Sequence, residues 1–400
     1  MKILVINCGS STIKFQFIDM EKKKVLAKGR ADMIGYDKSN IIYKNVRDSY
    51  EKNEDVKMPT HKEAMEVILT TLMDKEHGVI KSIDDIYAVG HRVVHGGELF
   101  DKATLVDEDV LKKVSNLSEL APLHNPGAVM GIKAIMDVAP NIPNVVVFDT
   151  AFHQTIPEFN FLYAINEKYY KNYKIRRYGA HGTSYKYILS RLEELLGKKK
   201  EDINAIVCHM GGGASACAIK NGKSYDTSMG FTPLEGFVME TRSGDIDPAA
   251  VLRIMEKENL TPEQMNHILN KESGRLGLCG IGDQRQLIQT AKSGDQRAIL
   301  TRKIQAMRTK KYIGAYMAEL NRVDAIVFTG GNGENNACER TLCASDMECL
   351  GVKLDEKLNE NGSRKESLIS APDSKVKVFV IPTDEEYEIA KETMEVVSKC

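Results

Sequence analysis

The sequence lacks net charge, long apolar segments and paired cysteines. Its 400 residues carry 55 basic and 56 acidic side chains, so no surface of one sign is expected to favour nucleic acid or an anionic membrane. The apolar runs are too short to cross a bilayer, and the chain begins on a strand pattern without a basic leader segment. We therefore expect a cytoplasmic protein with neither nucleic acid nor a membrane as a partner.

The cysteine pattern also excludes two classes of protein. Eight cysteines are present, but none stand in the C-x-x-C spacing of structural zinc sites, and no secretory context supports a disulfide framework. Reduced thiols are therefore expected. The length exceeds what one hydrophobic core usually organises, so two domains are predicted.

A repeated hairpin is the first positive feature. Residues 2–18 have the pattern of a strand, a short polar turn at 7–12 and a second strand of alternating apolar and polar residues. Residues 205–219 repeat this plan about half the chain further on, with Gly211 in the place of Gly9. Glycine and serine turns leave backbone N–H groups uncovered, and these groups can bind phosphate oxygens. Either copy alone could be an ordinary tight hairpin, but the repeat favours two halves that hold one phosphate chain.

Predicted strands and helices alternate along the chain. Buried strands are expected at 145–148, 325–328 and 376–381, a short strand at 86–89 that delivers residues 90–97 into a loop, and a glycine-rich turn at 329–335. Capping residues and prolines predict helices that begin at Thr60, Asp107, Pro126, Thr183, Asp247, Thr261 and Asp384 or Glu385, with a long helix over about 295–320. This alternation is typical of mostly parallel sheets covered by helices. We expect two related domains, 1–150 and 151–384, with a last helix over 385–400 packed on the first.

Arginine and histidine concentrate in the glycine-rich segments. The residues concerned are His91, Arg92 and His95 in 90–97, His181 in 178–184, Arg242 in 239–248, and Arg285 beside Asp283. A lone arginine is usually a solvated surface charge, but an arginine in a loop after a strand can direct its guanidinium at a bound anion. Such planar donors suit a carboxylate or a phosphoryl group. Asp149 and Glu385, at strand ends, could hold Mg²⁺, and helix capping is the alternative role for Glu385.

Seven distinctive segments follow one another along residues 1–400: VINCGSSTIKF, GHRVVHGG, FDTAFHQTIP, YGAHGTS, GFTPLEG, TRSGDIDP and IPTDEE. Together they resemble the acetokinase family of the acetate and sugar kinase, heat-shock chaperone and actin superfamily. The resemblance implies an α/β fold of duplicated ribonuclease H-like (actin-like ATPase) domains with a cleft between them, in a homodimer. It also implies reversible, in-line transfer of the γ-phosphoryl group of ATP to acetate, with Mg²⁺ or Mn²⁺, giving acetyl phosphate and ADP.

The resemblance assigns roles by motif match. It implies catalytic roles for Asn7, Arg92, Asp149, His181 and Arg242, acyl contacts by Arg92, Val94, Leu123 and Pro233, and metal binding by Asn7 and Glu385. The nucleotide would contact Lys14, Ser10, Ser11, His209, Gly211, Gly212, Gly213, Asp283, Gln284, Arg285, Gly330, Gly331, Asn332, Gly333 and Asn335. No proton-abstracting residue is expected, because a carboxylate acceptor is already ionised at neutral pH.

Departures from the family pattern keep alternatives open. Ala180 stands where the family has a phenylalanine in the acyl pocket, which leaves room for propionate or another short-chain acid. Gly212 replaces an asparagine, the segment at Gly282-Asp283 is one residue shorter, and Asn332 replaces an aliphatic residue. These changes admit pyrophosphate or a different nucleotide as donor. A nucleotide-gated binding protein on the same scaffold and a sugar kinase are the competing functions.

Overall fold

The computed structural model describes residues 1–122 and 124–399. The chain forms two compact units, one of Met1–Phe152 with residues 384–399 and the other of His153–Thr383. Within the described ranges, no helix combines the length and the apolar character that a membrane crossing requires.

The first unit is built on an eight-stranded mixed sheet. Its strands are β1 (Lys2–Cys8), β2 (Thr12–Asp19), β3 (Lys24–Asp32), β4 (Asn40–Asn45), β5 (Tyr50–Asp55), β6 (Ala88–Val93), β7 (Thr104–Leu105) and β8 (Asn144–Phe148). They lie in the order β5-β4-β3-β2-β1-β6-β8-β7. Strands β1, β6 and β8 are parallel, and the remaining neighbours are antiparallel.

The second unit is built on a six-stranded mixed sheet. Its strands are β9 (Ala205–Met210), β10 (Ala214–Lys220), β11 (Lys223–Thr227), β12 (Ala325–Thr329), β13 (Ser367–Leu368) and β14 (Lys377–Val380). Their order is β11-β10-β9-β12-β14-β13. Strands β9, β12 and β14 are parallel, and the other pairs are antiparallel.

The two sheets share one topology. The order β3-β2-β1-β6-β8-β7 in the first unit corresponds strand by strand to β11-β10-β9-β12-β14-β13 in the second. In both, an antiparallel hairpin is followed by two parallel strands and a short antiparallel edge strand. This confirms the predicted duplication, and strands β4 and β5 extend the first copy only.

Helices cover both sheets. In the first unit they are α1 (His61–Leu72), α2 (Glu108–Asn116), α3 (Asn125–Val138) and α15 (Glu385–Val397). In the second they are α4 (Glu158–Phe161), α5 (Lys168–Tyr173), α6 (Gly182–Leu196), α7 (Pro248–Glu258), α8 (Pro262–Lys271), α9 (Gly274–Cys279), α10 (Gln284–Lys292), α11 (Gln296–Leu320), α12 (Gly330–Asn335), α13 (Ala337–Ala344) and α14 (Glu356–Asn361). The predicted caps Asp107, Asp247 and Thr261 each accept a hydrogen bond from the first turn of their helix.

Alternation along β1 decides which helix covers each face of the first sheet. Leu4 and Ile6 pack in one cluster with α1 and α3, whereas Ile3 and Val5 pack in another with Ile389 of α15. Each face therefore buries its own apolar set, as expected for a sheet covered on both sides. This packing brings the beginning of α15 to the unit that carries the first hairpin.

Two sequence predictions about local structure are wrong. Strand β6 extends to Val93, so His91 and Arg92 lie on a strand and not in a loop, because pairing with β8 continues through these residues. Residues 330–335 form the short helix α12 and not a turn. In the second case three glycines predicted a turn, but contacts with β9 hold the segment in a helical conformation, with Gly330 at φ +74° against Met210.

Candidate active site

Arg92 and Asp149 form a buried ion pair in the first unit. Arg92 lies on β6 and Asp149 directly follows β8, the parallel neighbour of β6, so their side chains meet at the same edge of the sheet. Nη2 and Nε of Arg92 donate to the carboxylate of Asp149 at 2.7 to 3.2 Å. The Arg92 pKa is raised, chiefly by the charge of Asp149. Asp149 is 1% exposed, but Nη1 of Arg92 has no hydrogen bond within the described residues and can take an external anion.

A cavity of about 590 Å³ joins Arg92 to three more of the predicted residues. Its lining includes Asn7 at the end of β1, Lys14 opposite it on β2, and Glu385 at the start of α15. Oε1 of Glu385 is buried and has no hydrogen-bond partner among the described residues. Burial raises the pKa of Glu385 against the lowering effect of Arg92. Helix capping does not account for this side chain, because Asp384 is the N-cap residue of α15.

The turn of the first hairpin is tightly held. Gly9 N donates to Thr12 O at 2.8 Å across Ser10 and Ser11, and Ser11 O accepts from Ile34 N at 2.9 Å. Helix α3 touches this turn so closely that a Cβ on Gly127 would lie 2.7 Å from the carbonyl carbon of Gly9. The turn is therefore fixed by its surroundings, as a phosphate-binding turn needs to be.

In the second unit, His181 and His209 stack on one another. Their ring centroids are 4.2 Å apart and the planes are inclined by 16°. Nδ1 of His181 is hydrogen-bonded to Ser215 Oγ at 2.8 Å, and Nδ1 of His209 to Ser184 Oγ at 2.9 Å. His181 occupies the N-cap of α6 with φ +58°, a left-handed conformation that is uncommon for histidine. Backbone strain of this kind is often retained where a side chain must point at a ligand.

Arg242 and His181 converge on the turn of the second hairpin. A Cβ on Gly213 would lie 3.6 Å from Arg242 Nη1 and 3.7 Å from His181 Nε2. Nη1 of Arg242 donates to the backbone oxygen of Pro233 at 3.2 Å, and no carboxylate forms an ion pair with Arg242 among the described residues. Burial lowers the pKa of Arg242. This guanidinium is therefore partly removed from water, and no carboxylate in the described part of the chain neutralises it.

Five of the predicted nucleotide residues lie at two helices of the second unit, α10 and α12. Asp283 is the N-cap of α10, Arg285 is 86% exposed beside it, and both polar side-chain atoms of Gln284 are buried without a partner in the described residues. Asn332 Nδ2 donates to the backbone oxygen of Gly211 at 3.0 Å, which ties α12 to the second hairpin. Asn335 bonds within its own helix, to Gly331 O at 2.6 Å.

Other predicted residues are placed differently. His91 is buried on β6, bonds to Asn144 Oδ1 at 2.8 Å, and has its pKa lowered to about 4 by burial, so it is a neutral structural residue. His95 Nδ1 accepts from Gly97 N at 3.0 Å within its own loop, and Val94 precedes this loop. Ala180 is 4% exposed inside an apolar cluster of the second unit. Leu123 lies outside the described residues.

Two residues that the sequence reasoning missed lie beside the second hairpin. Ser215, buried near the beginning of β10, is hydrogen-bonded to the His181 ring and orients it. Glu240 places Oε2 2.9 Å from the Cβ position of Gly212 and Cγ 3.1 Å from that of Gly282. The sequence offered one signal for each residue. Ser215 is a polar residue within a predicted buried strand, and Glu240 directly precedes the TRSGDIDP segment.

These clusters, and the sheet that carries each of them, define a class of protein. A mixed sheet that occurs twice with the same strand order, each copy opening on a hairpin with a glycine turn, is the architecture of an actin-like ATPase.

Comparisons with known proteins identify the family. A model of the acetokinase family matches residues 2–391. The acetate kinase of Thermotoga maritima is 55% identical over 402 residues, covering 100% of this chain and 99% of that relative. The crystal structure of Porphyromonas gingivalis acetate kinase is 44% identical with a TM-score of 0.96, and that of a propionate kinase from Francisella tularensis is 40% identical with a TM-score of 0.92, each covering 99% of both chains. The chain belongs to the acetokinase family, which confirms the predicted family and fold class.

Proposed function

We propose that the chain catalyses reversible transfer of the γ-phosphoryl group of ATP to acetate, giving acetyl phosphate and ADP. The observation that carries this proposal is the convergence of Arg242 and His181 on Gly213, with no carboxylate of the described residues paired to Arg242. A desolvated guanidinium in this setting gains most from a group whose negative charge develops during the reaction. The named acetate kinases at 44% to 55% identity support the same acceptor.

The chemistry requires positioning and charge more than proton transfer. An oxygen of the ionised acetate attacks the γ-phosphorus, and the bond from that phosphorus to the bridging oxygen of ADP breaks, so no proton has to be removed. Arg92, held by Asp149, offers Nη1 to the acceptor carboxylate. Arg242 and His181 stabilise the negative charge on the equatorial oxygens of the phosphoryl group in the transition state. A sugar kinase would need a carboxylate base at the acceptor, and the proposed acceptor side presents arginine.

Magnesium fits the first unit. No three histidine, cysteine or acidic side chains come together as a ligand set in the described part of the chain. Mg²⁺ does not need such a set, because it keeps several waters and takes one or two protein oxygens beside phosphate. Glu385, with its unpartnered buried oxygen, and Asn7 on the same cavity would hold the ion and its waters. When bound, the ion would neutralise phosphate charge during transfer.

Acetate is preferred over propionate in this proposal because of the surroundings of Ala180. Ala180 is 4% exposed and belongs to the same apolar cluster as Met210, Met229 and Phe237, so the proposal treats it as a packed core position that adds no room for a longer acyl chain. The propionate kinase of F. tularensis makes propionate the second candidate acceptor. We also propose that the protein is a homodimer and acts in the cytoplasm, where ATP is available; light scattering of the purified chain would test the dimer.

A hydroxamate assay tests the proposed reaction. The purified chain is incubated with Mg²⁺ and hydroxylamine, acids of one to four carbons, and ATP, GTP or pyrophosphate as donor. We expect hydroxamate with ATP, and a higher kcat/KM for acetate than for propionate. Hydroxamate with pyrophosphate alone would overturn the assignment of ATP as the donor. A higher kcat/KM for propionate would overturn the assignment of acetate as the preferred acceptor. The absence of hydroxamate with every donor and acid would favour a nucleotide-gated binding protein.

A further inference from the structure

The GFTPLEG segment, residues 230–236, is fixed by a partly buried polar cluster. Nη2 of Arg177 donates to Glu235 Oε1 at 2.7 Å, and Nη1 of Arg177 donates to the backbone oxygens of Thr227 and Met229 at 2.6 and 3.2 Å. Tyr163 donates its hydroxyl proton to Glu235 Oε2 at 2.5 Å and accepts from Phe231 N at 2.8 Å. Arg177 and Tyr163 therefore hold both ends of the segment.

Partial burial strengthens the ion pair and the hydrogen bonds of this cluster. The side chain of Arg177 is 16% exposed and that of Glu235 31% exposed. Burial and the neighbouring Glu235 raise the pKa of Tyr163, so its hydroxyl keeps the proton that it donates. There is no room for another side chain here, because a Cβ on Gly230 would lie 1.8 Å from Glu235 Oε2 and 2.1 Å from the Tyr163 hydroxyl oxygen.

The same segment is hydrogen-bonded to Arg242 and to the backbone that leads to His181. The backbone oxygen of Pro233, two residues before Glu235, receives the hydrogen bond of Arg242. The backbone oxygen of Gly230 accepts from Tyr178 N at 3.0 Å and from Gly179 N at 3.2 Å, three and two residues before His181. A shift of the segment would therefore displace Arg242 and His181 together.

We propose that Glu235, with Arg177 and Tyr163, is a positioning residue for phosphoryl transfer, because it sets the place of the Pro233 and Gly230 carbonyls on which Arg242 and His181 depend. This inference rests on the proposed function of the second unit. Misplacement of a reacting group by about 1 Å can cost on the order of 10²-fold in rate. Loss of the cluster should therefore lower kcat and leave the affinity for MgADP unchanged.

Glu235→Gln is the principal test. Arg177 keeps Asp226 at 3.5 Å as a second carboxylate, so this variant retains a partner for the buried cation. We expect a 10- to 100-fold fall in kcat, with the KM for ATP and the Kd for MgADP within twofold of the wild type, and partial recovery in Glu235→Asp. Tyr163→Phe, which removes only the hydroxyl, gives a smaller fall in kcat and serves if Glu235→Gln does not fold.

The ion pair of Arg191 with Glu366 provides a matched control. It joins α6 to the beginning of β13 with two hydrogen bonds at 2.9 and 3.0 Å, and its side chains are 28% and 30% exposed. Glu366→Gln should lower Tm by a similar amount and leave kcat unchanged. Equal kcat in Glu235→Gln and the wild type, or equal loss of kcat in both variants, would overturn the positioning role while the wild-type kinase activity stands. A wild-type chain that forms no acyl phosphate would remove the proposed function, and this role with it.

Discussion

The two units hold their arginines in opposite ways on the same sheet topology. Nε and Nη2 of Arg92 both donate to the carboxylate of Asp149, which is almost fully buried. Among the described residues, the guanidinium of Arg242 has only the backbone oxygen of Pro233 and the thioether of Met239, at 4.0 Å, as hydrogen-bond partners. The pKa of Arg92 is raised by its partner, and the pKa of Arg242 is lowered by burial.

This difference separates two tasks that a phosphotransferase needs. An arginine whose charge is already matched by a carboxylate binds a further anion weakly but places it well, because its position is fixed. An arginine without a matched charge gains most when negative charge develops near it. We therefore propose that Arg92 orients the acceptor and that Arg242 stabilises the transition state.

Removal of the unmatched arginine should have the largest effect. Arg242→Ala is expected to lower kcat by roughly 10³-fold or more, since a transition-state arginine contributes on that scale. The KM for ATP should change little, and added guanidinium should restore part of kcat. Both are measured from the acyl phosphate that has formed when the reaction is stopped at fixed times. A kcat near that of the wild type would exclude Arg242 from the reaction and remove the contrast between the two arginines.

The units should also differ in how acid affects their stability. Burial lowers the pKa of His91 in the first unit from 6.5 to about 4, so between these values the unfolded chain binds a proton that the folded chain does not, and stability falls as the pH falls. The loss is at most about 3 kcal/mol, at 1.36 kcal/mol for each pH unit. Burial raises the pKa of Asp226 in the second unit to about 6. The folded chain therefore binds more protons than the unfolded chain between pH 6 and 4, and stability there rises as the pH falls.

Amide exchange followed at β6 and at β11 between pH 4.5 and 7 measures the two effects separately. His91→Gln should remove the acid sensitivity at β6, and Asp226→Asn should remove the opposite trend at β11. Identical pH profiles of exchange at the two strands in the wild type would contradict this difference between the units.

Breaking the fixed pair should cost less than removing Arg242. Asp149→Asn keeps the shape of the side chain but leaves Arg92 without its charge partner, so the guanidinium loses its orientation. We expect kcat/KM for acetate to fall by about 10- to 100-fold with little change in the KM for ATP. Arg92→Lys, which retains charge without the paired geometry, should behave similarly. An equal loss in Arg242→Ala and Asp149→Asn would mean that the two arginines do not have separate tasks.

The sequence predicted the parts of this arrangement that depend on local pattern. Hairpins, caps and buried strands follow from the order of apolar residues, glycine and capping side chains, so the duplicated fold and the segments around Arg92, His181 and Arg242 could be located. The end of β6 and the helix at 330–335 depend on pairing with β8 and on contact with β9, which local pattern does not encode. The matched charge of Arg92 and the unmatched charge of Arg242 likewise depend on which side chains the fold brings near them. Ser215 and Glu240 were missed because neither residue belongs to a distinctive motif.

Substitution of Glu240 should have the smallest effect of these variants. It tests whether the two hairpins differ in the charge beside their turns. The first hairpin carries a cation, Lys14, opposite Asn7, whereas the second has the Glu240 carboxylate against Gly212. If the second turn binds phosphate as proposed, a carboxylate in contact with it opposes the charge of the donor, and solvent at this exposed position screens most of the repulsion. Glu240→Gln should therefore lower the KM for ATP by only about two- to fivefold at low ionic strength and less at 0.5 M salt, with the KM for acetate unchanged. A higher KM for ATP in this variant would mean instead that Glu240 helps to hold the nucleotide, and that the second hairpin does not bind its phosphates by the backbone alone.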